Sequence, residues 1–525
     1  MTRPHRAPLS LRSGTTAVLL GLLLTSGTNA QTGIDAASNP LADAPETTTK
    51  RTLSVVPRFS VTETFTDNLY LSSSAMQSER VTELSPGIRV NLEGARLKAF
   101  IDYSLTGLSY AGDDSLKRSQ NALNALGTLE LVERWLFVDF GGTISQQAIS
   151  AFGKQAGNNI AINGNQAEVA DYRVSSYLRG RLASALDYEA RITRTTTRPD
   201  APAAPSRVST DGTFKLAGGG TATGLGWSVD AGQQSESYTD ARDTLARRFN
   251  LGLSKALSPQ FNLSATMGSE SNNYTTLDQQ TTAAYSLGLN WTPSDVTKLA
   301  ATAGQRSFGS AHDVSFEHRS GRTIWTFSDV TDIYIPKNSL NISSQGSNYD
   351  LLYRQFASVQ PDPTARATLV NNYLQNNGIS ATTASSYFLA SAVTLQRHQG
   401  LSFALLGLRD TILFSASRSR STRLDTLSTG VDDLSNTDVV HQRGFSVNYA
   451  HRLTPGTSLG VIVSRQNNSG SSSLQDNSLQ ELHVSLTGKV GKQAAATLGA
   501  RRVLFDSSTA PYAATSLNGN FTLRF

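Results

Sequence analysis

The chain has 525 residues, 38% of them hydrophobic, and a mean hydropathy of −0.26, which excludes a protein built on membrane-spanning helices. It has no cysteine, so disulfides, thiol chemistry and a cysteine-linked lipid anchor are excluded too. The formal charge of +5 owes three arginines to residues 1–30, which hold no acid, and no basic tract of the nucleic-acid-binding type follows.

The first element is the only long apolar run, Thr16–Leu24, too short to cross a bilayer as a helix. Arg3, Arg6 and Arg12 precede it, Ala17–Leu24 form its apolar centre, and Thr28-Asn29-Ala30 supply small residues after it. That order predicts a secretory signal peptide over 1–30, cut after Ala30. Residues 31–50, rich in Ala, Thr, Asp and Pro, read as a disordered periplasmic lead. A lead of about twenty residues is too short for the N-terminal plug domain of a TonB-dependent receptor.

From 51 to 525 the pattern has a period of two. Leu97, Ala99, Ile101, Tyr103 and Leu105 alternate with Lys98, Phe100, Asp102, Ser104 and Thr106. Tyr285, Leu287, Leu289 and Trp291 alternate with Ser286, Gly288 and Asn290 in the same way. Such strands have one apolar and one polar face. The polar face carries Gly, Ser, Thr, Asn and charge, which suits a wet interior, and apolar stretches of about 9–11 residues match tilted membrane strands.

Connections alternate in length. Short turns are expected near Glu93-Gly94, Glu133-Arg134, Ala183-Ser184, Ser258-Pro259, Thr292–Asp295, Ser320-Gly321, Gln399-Gly400, Thr454–Thr457 and Gly491-Lys492. Longer polar loops, such as Asp67–Ser78, Phe152–Gln166 and Arg420–Val439, fall between them. The expectation is an all-β fold, a closed antiparallel transmembrane β-barrel of about 22 strands, within roughly 18 to 24, in a bacterial outer membrane. Trp135, Trp227, Trp291 and Trp325 all fall near short turns, as an interfacial girdle would place them. Arg409-Asp410 interrupts an apolar run, and a bulge is expected there to turn Asp410 from lipid.

One segment, 331–385, breaks the β rhythm. Asp362 and Pro363 can open a helix whose apolar face holds Ala367, Val370, Tyr373 and Leu374, with Gly378 as its stop. Tyr349, Leu352 and Phe356 suggest an earlier helical turn or two. A helical insertion in a barrel loop either plugs the lumen or caps the mouth, so Val370, Tyr373 and Leu374 are candidate pore-closing residues. At the other end, Phe521, Leu523 and Phe525 alternate to a terminal aromatic, similar to the assembly signal of bacterial barrels.

Several segments resemble the PEP-CTERM system-associated outer-membrane β-barrel family. They are Ser60–Ser72, Glu83–Tyr110, Glu130–Gly153, Phe316–Asp332, Pro361–Leu374 and Leu405–Ser417. The resemblance implies placement in bacteria that make exopolysaccharide and sort proteins by exosortase, hence a conduit linked to polysaccharide export. It supplies no catalytic residue. The alternatives are a general or nutrient porin and a structural or adhesive surface barrel without transport.

Enzymatic signatures are weak. Gly456-Thr457-Ser458-Leu459-Gly460 fits the nucleophile-elbow pattern, but it follows a hairpin turn and opens a strand, not a helix. No histidine has metal-site spacing, and His312 and His318 are expected on a lumenal strand face. Asp432, Asp433 and Asp438 read as an acidic loop before a calcium site. The chain is therefore expected to be no enzyme and to need no cofactor. Candidate lumen-lining charges are Lys98, Asp102, Asp187, Glu189, Arg191, Asp230 and Arg465. Expected partners are outer-membrane lipid, the barrel-assembly machinery, a polysaccharide cargo and export components, and no nucleic acid.

Overall fold

In a computed structural model, the described residues are 53–112, 117–182, 186–201, 204, 206–220, 224–239, 241–334, 348–356, 370, 388–390, 393–425, 427 and 432–525. The expected signal peptide (1–30) and lead (31–50) lie outside them, as do Tyr373 and Leu374.

The described chain is a 22-stranded antiparallel sheet closed on itself. The first wall comprises β1 (Leu53–Thr66), β2 (Glu79–Glu93), β3 (Leu97–Tyr110), β4 (Lys117–Val132), β5 (Leu136–Ala148), β6 (Gln166–Leu182) and β7 (Leu186–Pro199). It continues through β8 (Arg207–Gly220), β9 (Leu225–Tyr238), β10 (Thr244–Ser258), β11 (Phe261–Asn272), β12 (Gln280–Ser294), β13 (Thr297–Arg306), β14 (Gly309–Arg319) and β15 (Thr323–Tyr334). The ring is completed by β16 (Thr394–Leu406), β17 (Asp410–Arg423), β18 (Val439–Thr454), β19 (Thr457–Ser469), β20 (Asn477–Val490), β21 (Ala494–Ser507) and β22 (Tyr512–Arg524). Each strand pairs with its neighbour in sequence, and β1 closes on β22 from Arg58↔Arg524 to Thr66↔Ser516. Closure leaves no sheet edge unpaired, which is what a hydrocarbon environment requires of a β-structure.

Every connection from an even to an odd strand is short, and Leu53 and Arg524 lie at that same end. Short turns mark the periplasmic end of such barrels and longer loops the extracellular end. Two expected local features differ. Gln399-Gly400 is not a turn but lies mid-strand, paired with Asp329 and Ser328. The turn is one apolar stretch later, at 407–409, so Arg409 and Asp410 sit at a strand end rather than in a bulge. A period-two pattern tolerates either choice, because Gly400 faces inward where small residues are common.

Alternation assigns the two faces. Tyr285, Leu287 and Trp291 are 62%, 69% and 42% exposed on the outside, while Ser286 shares a lumenal hydrogen bond with Thr266 at 2.6 Å. All four tryptophans lie at the short-turn end with exposed indoles, and Trp135 donates to the Tyr188 hydroxyl at 2.9 Å. This is an aromatic girdle at the periplasmic interface. Strands run from 10 residues in β13 to 17 in β6, longer than the apolar stretches read from sequence, because the barrel continues above the apolar belt. The wall coils tightly: a Cβ on Gly268 or Gly304 would meet a neighbouring carbonyl oxygen at 1.9 or 2.1 Å, so only glycine fits there. An exposed apolar belt, indoles at its lower rim and a polar interior define an outer-membrane β-barrel.

Candidate functional site: an occupied lumen

The lower lumen holds a helix. α1 (Asn348–Gln355) belongs to the long connection between β15 and β16. Its buried residues Asn348, Leu351, Leu352 and Gln355, with Phe356 just beyond, recur at helical spacing and form one face. That face packs against Ile324, Ala404, Leu413 and Ala450, and Val370 joins the same cluster with no exposed surface. The four wall residues alternate with the outward Trp325, Phe403 and Phe414, so they point inward. They also sit near the short turns, so α1 reaches the periplasmic end of the lumen. There Arg319 donates to the Arg354 carbonyl at 3.3 Å, Gln355 donates to the Ser320 carbonyl at 3.3 Å, and Arg354 approaches Glu317 at 3.5 Å. A guanidinium at a helix C-terminus satisfies free carbonyls and complements the helix dipole. The insertion thus enters the barrel, and of the second expected helix Val370 alone is described.

The upper lumen is narrowed by the β5–β6 loop, 149–165, a role its polar composition did not signal. Its base is closed by Ile149 N–H donating to the Asn165 carbonyl at 3.1 Å. The Ala151 carbonyl accepts from Asn468 and Asn477, both at 2.9 Å, and the Ile160 carbonyl accepts from Tyr110 at 3.0 Å. Arg501 donates to the Gly157 carbonyl and Tyr512 to the Gln155 carbonyl. All five donors face inward, so the loop lies inside the barrel along the wall. Its apolar residues fill inward pockets, Ile160 with Leu69, Val81, Leu108 and Tyr110, and Ala161 with Leu71, Val503, Phe505 and Tyr512.

The extracellular β17–β18 loop clasps this segment through α2 (Asp433–Asn436), N-capped by Asp432. The Asp433 carboxylate accepts from Ser150 Oγ and Ala151 N–H, each at 2.6 Å. Burial holds the Asp433 carboxyl above its ordinary range, and these two hydrogen bonds oppose the shift. The acidic loop is therefore a clasp, and among the described residues no group of three or more carboxylates and histidines could hold a metal ion. The insertion reaches the same place. Phe388 bridges to Ala148 at the end of β5, half the ring away from β16, and Leu389 N–H donates to the Ile149 carbonyl at 3.2 Å. Described parts of one insertion therefore lie in two places, Phe388 and Leu389 beside the extracellular end of β5 and α1 at the lumen's lower end.

The wall carries paired charges. Lys98, Asp102, Asp187, Glu189, Arg191 and Asp230 all alternate inward. Asp102 bridges Arg58 and Arg89, each at 2.6 Å. Arg191 joins Asp139 at 2.9 Å and Glu189 at 3.0 Å, and lies 3.7 Å from the Tyr177 ring centroid. Asp187 pairs with Arg181 at 2.7 Å, and Asp230 accepts from Ser228 at 3.3 Å. Further cross-strand pairs were not foreseen: buried Arg207–Glu236 at 3.2 Å, and Arg306 between Glu270 and Asp332. Opposite charges on inward positions of strands one or two apart were the available signal, but it requires the register.

Three expected placements are corrected. Arg465 is not lumenal: it stands opposite Phe445 and alternates with the inward Ser464 and Gln466, so it points out of the barrel. His312 and His318 also face outward, with His312 Nε2 2.9 Å from Asp329. Asp410 sits on the outer face at the lower rim, where it accepts from Tyr449 at 2.7 Å and lies 2.8 Å from His451 Nδ1. The placements of Arg465 and the two histidines follow from one-residue parity, which sequence alone assigns poorly where polar residues occupy both faces; that of Asp410 follows from the turn at 407–409, which puts it at a strand end. Ser458 lies buried at the start of β19, next to a hairpin turn, and not in a strand–turn–helix elbow.

The closed 22-stranded sheet, with a helix and a loop folded inward, defines a large outer-membrane β-barrel. No family model matches the chain, nor does any curated protein. Several solved structures are similar to it. The siderophore receptor PirA from Pseudomonas aeruginosa is 10% identical over 89% of this chain and 80% of its own, with a TM-score of 0.42. The FrpB iron transporter from Neisseria meningitidis is 10% identical over 89% and 82%, with a TM-score of 0.46. Outer membrane protein opdK from Pseudomonas aeruginosa is 9% identical over 90% and 99%, with a TM-score of 0.33. The strand pairing of this chain, not these distant likenesses, defines its architecture.

Proposed function

We propose that this barrel is a gated conduit across the outer membrane and that its cargo is a secreted polysaccharide. The observation that carries the first half is α1, docked on the inner wall with Leu352 and Val370 fully buried. A ring of this strand number encloses more space than its own side chains fill, so segments folded inward close what would otherwise be open. The wall does not need them, because its hydrogen-bonding ladder is complete without them. The second half rests on the resemblance to exopolysaccharide-associated barrels. It is supported by a lining of hydroxyls, amides and mutually paired charges, which would hydrogen-bond a saccharide without selecting strongly by charge.

The test compares wild-type protein with a variant in which residues 346–378 are replaced by a short Gly/Ser linker. In proteoliposomes, wild type should pass sized sugars slowly and the variant rapidly. In cells, loss of the gene should abolish polymer at the surface while leaving small-sugar uptake intact. Free passage of small sugars by wild type would make it a general porin instead. No flux from either protein would leave a surface barrel without transport.

A further inference from the structure

The outward face of β16–β19 has a basic band that the wall itself does not explain. Arg397, Arg418, Arg420, Arg443 and Arg465 all point outward and are exposed. Two pairs stand directly opposite one another across neighbouring strands, Arg397↔Arg420 and Arg418↔Arg443. Like charges in that position repel and destabilise a sheet. His441 sits among Arg418, Arg420 and Arg443, directly opposite Arg420.

Counter-charge is sparse. Arg397 pairs with Asp329 at 2.7 Å, and Arg465 Nε donates to Asn467 at 3.1 Å. Arg418, Arg420 and Arg443 form no ion pair among the described residues. By parity, the outward positions of these four strands carry one carboxylate, Asp410, at the opposite rim. Outward arginines elsewhere, such as Arg247 on β10 and Arg502 on β21, do not face another arginine.

Height decides what the band meets. Immediately below it on the same face lie Phe414 and Ala416, Phe445 and Val447, and Val461 and Val463. The arginines therefore begin where the apolar belt ends, at the long-loop rim. That is the headgroup level of the outer leaflet. A guanidinium offers a planar fork that two phosphate oxygens accept, and one phosphate can bridge two forks that would otherwise repel. We propose that Arg418, Arg420 and Arg443, flanked by Arg397 and Arg465, bind the phosphate of a phosphorylated outer-leaflet glycolipid whose acyl chains lie on the apolar belt beneath.

The test uses the full-length barrel in detergent, with bis-phosphorylated lipid A and its dephosphorylated form as probes, read by native mass spectrometry. The variant is the triple Arg418→Gln, Arg420→Gln, Arg443→Gln. The control changes Arg194→Gln and Arg198→Gln on β7. Affinity of the triple variant for phosphorylated lipid should fall about ten-fold or more per lost guanidinium–phosphate contact, with no change for the dephosphorylated form. The control should bind as wild type. Without lipid, the triple variant should be as heat-stable as wild type or more so, because repulsion has been removed. Unchanged lipid binding, equal loss for both lipids, or a triple variant that misfolds or is less stable without lipid would overturn the proposal. Displacement of the lipid by inorganic phosphate alone would overturn the choice of a lipid.

Discussion

Leu352→Ala tests whether α1 holds the lumen closed. Leu352 is fully buried between α1 and the inner wall, beside Ile324, Ala404 and Leu413. The helix contributes Leu351, Leu352 and Phe356, and Val370 adds a fourth apolar contact. At about 1.5–3 kcal/mol per buried side chain, docking gains roughly 6–12 kcal/mol before the entropy of ordering the segment is subtracted. Truncating one such leucine costs about 2–5 kcal/mol. The ring of strands does not depend on this contact, so the loss falls on docking rather than on barrel stability. A loss of about 3 kcal/mol raises the undocked fraction by about two orders of magnitude. The double variant Leu351→Ala, Leu352→Ala should raise it further. In planar bilayers, brief rare openings of wild type should become long-lived in the single variant and dominant in the double one. Heat-dependent gel mobility checks that the barrel is folded. If both variants fold and conduct as wild type does, α1 does not close the pore.

Two further outcomes follow from the same geometry. The raised pKa of Asp433 means that docking of the 149–165 loop favours the neutral carboxyl. Its contribution is fully present below the ordinary range of an undocked aspartate carboxyl and is lost as pH rises through the higher docked value. Conductance should therefore fall on acidification, and Asp433→Asn should abolish that dependence; an unchanged titration in the variant refutes the clasp. Leu287→Arg, at the lipid face, should destabilise the barrel by about 2–4 kcal/mol if its depth is near the midplane. Cysteine at Ser286 but not at Leu287 should react with a thiol reagent supplied to the aqueous lumen. Equal labelling would reject the assigned parity.

The sequence alone determined the closed antiparallel order and the alternation of short turns and loops, and set the strand count at about 22, within roughly 18 to 24. These are local properties: period two appears wherever a strand separates two environments, and turn residues punctuate it. Clean strands such as Tyr285–Trp291 could be assigned face by face without coordinates. Tertiary structure was needed where both faces are polar, as at Arg465 and His312, because only register with a neighbouring strand fixes parity there. It alone also decided where the loops go. Nothing in the composition of 149–165 distinguishes a loop in solvent from one inside a barrel, since the hydrogen bonds that its backbone carbonyls accept from Tyr110, Asn468, Asn477, Arg501 and Tyr512 come from donors 50 to 357 residues away. A helical turn or two at Tyr349, Leu352 and Phe356 was legible in the sequence, but not which residues of α1 would be buried. What covers them, a patch of small and branched residues on the four consecutive strands β15–β18, exists only once those strands have paired in register.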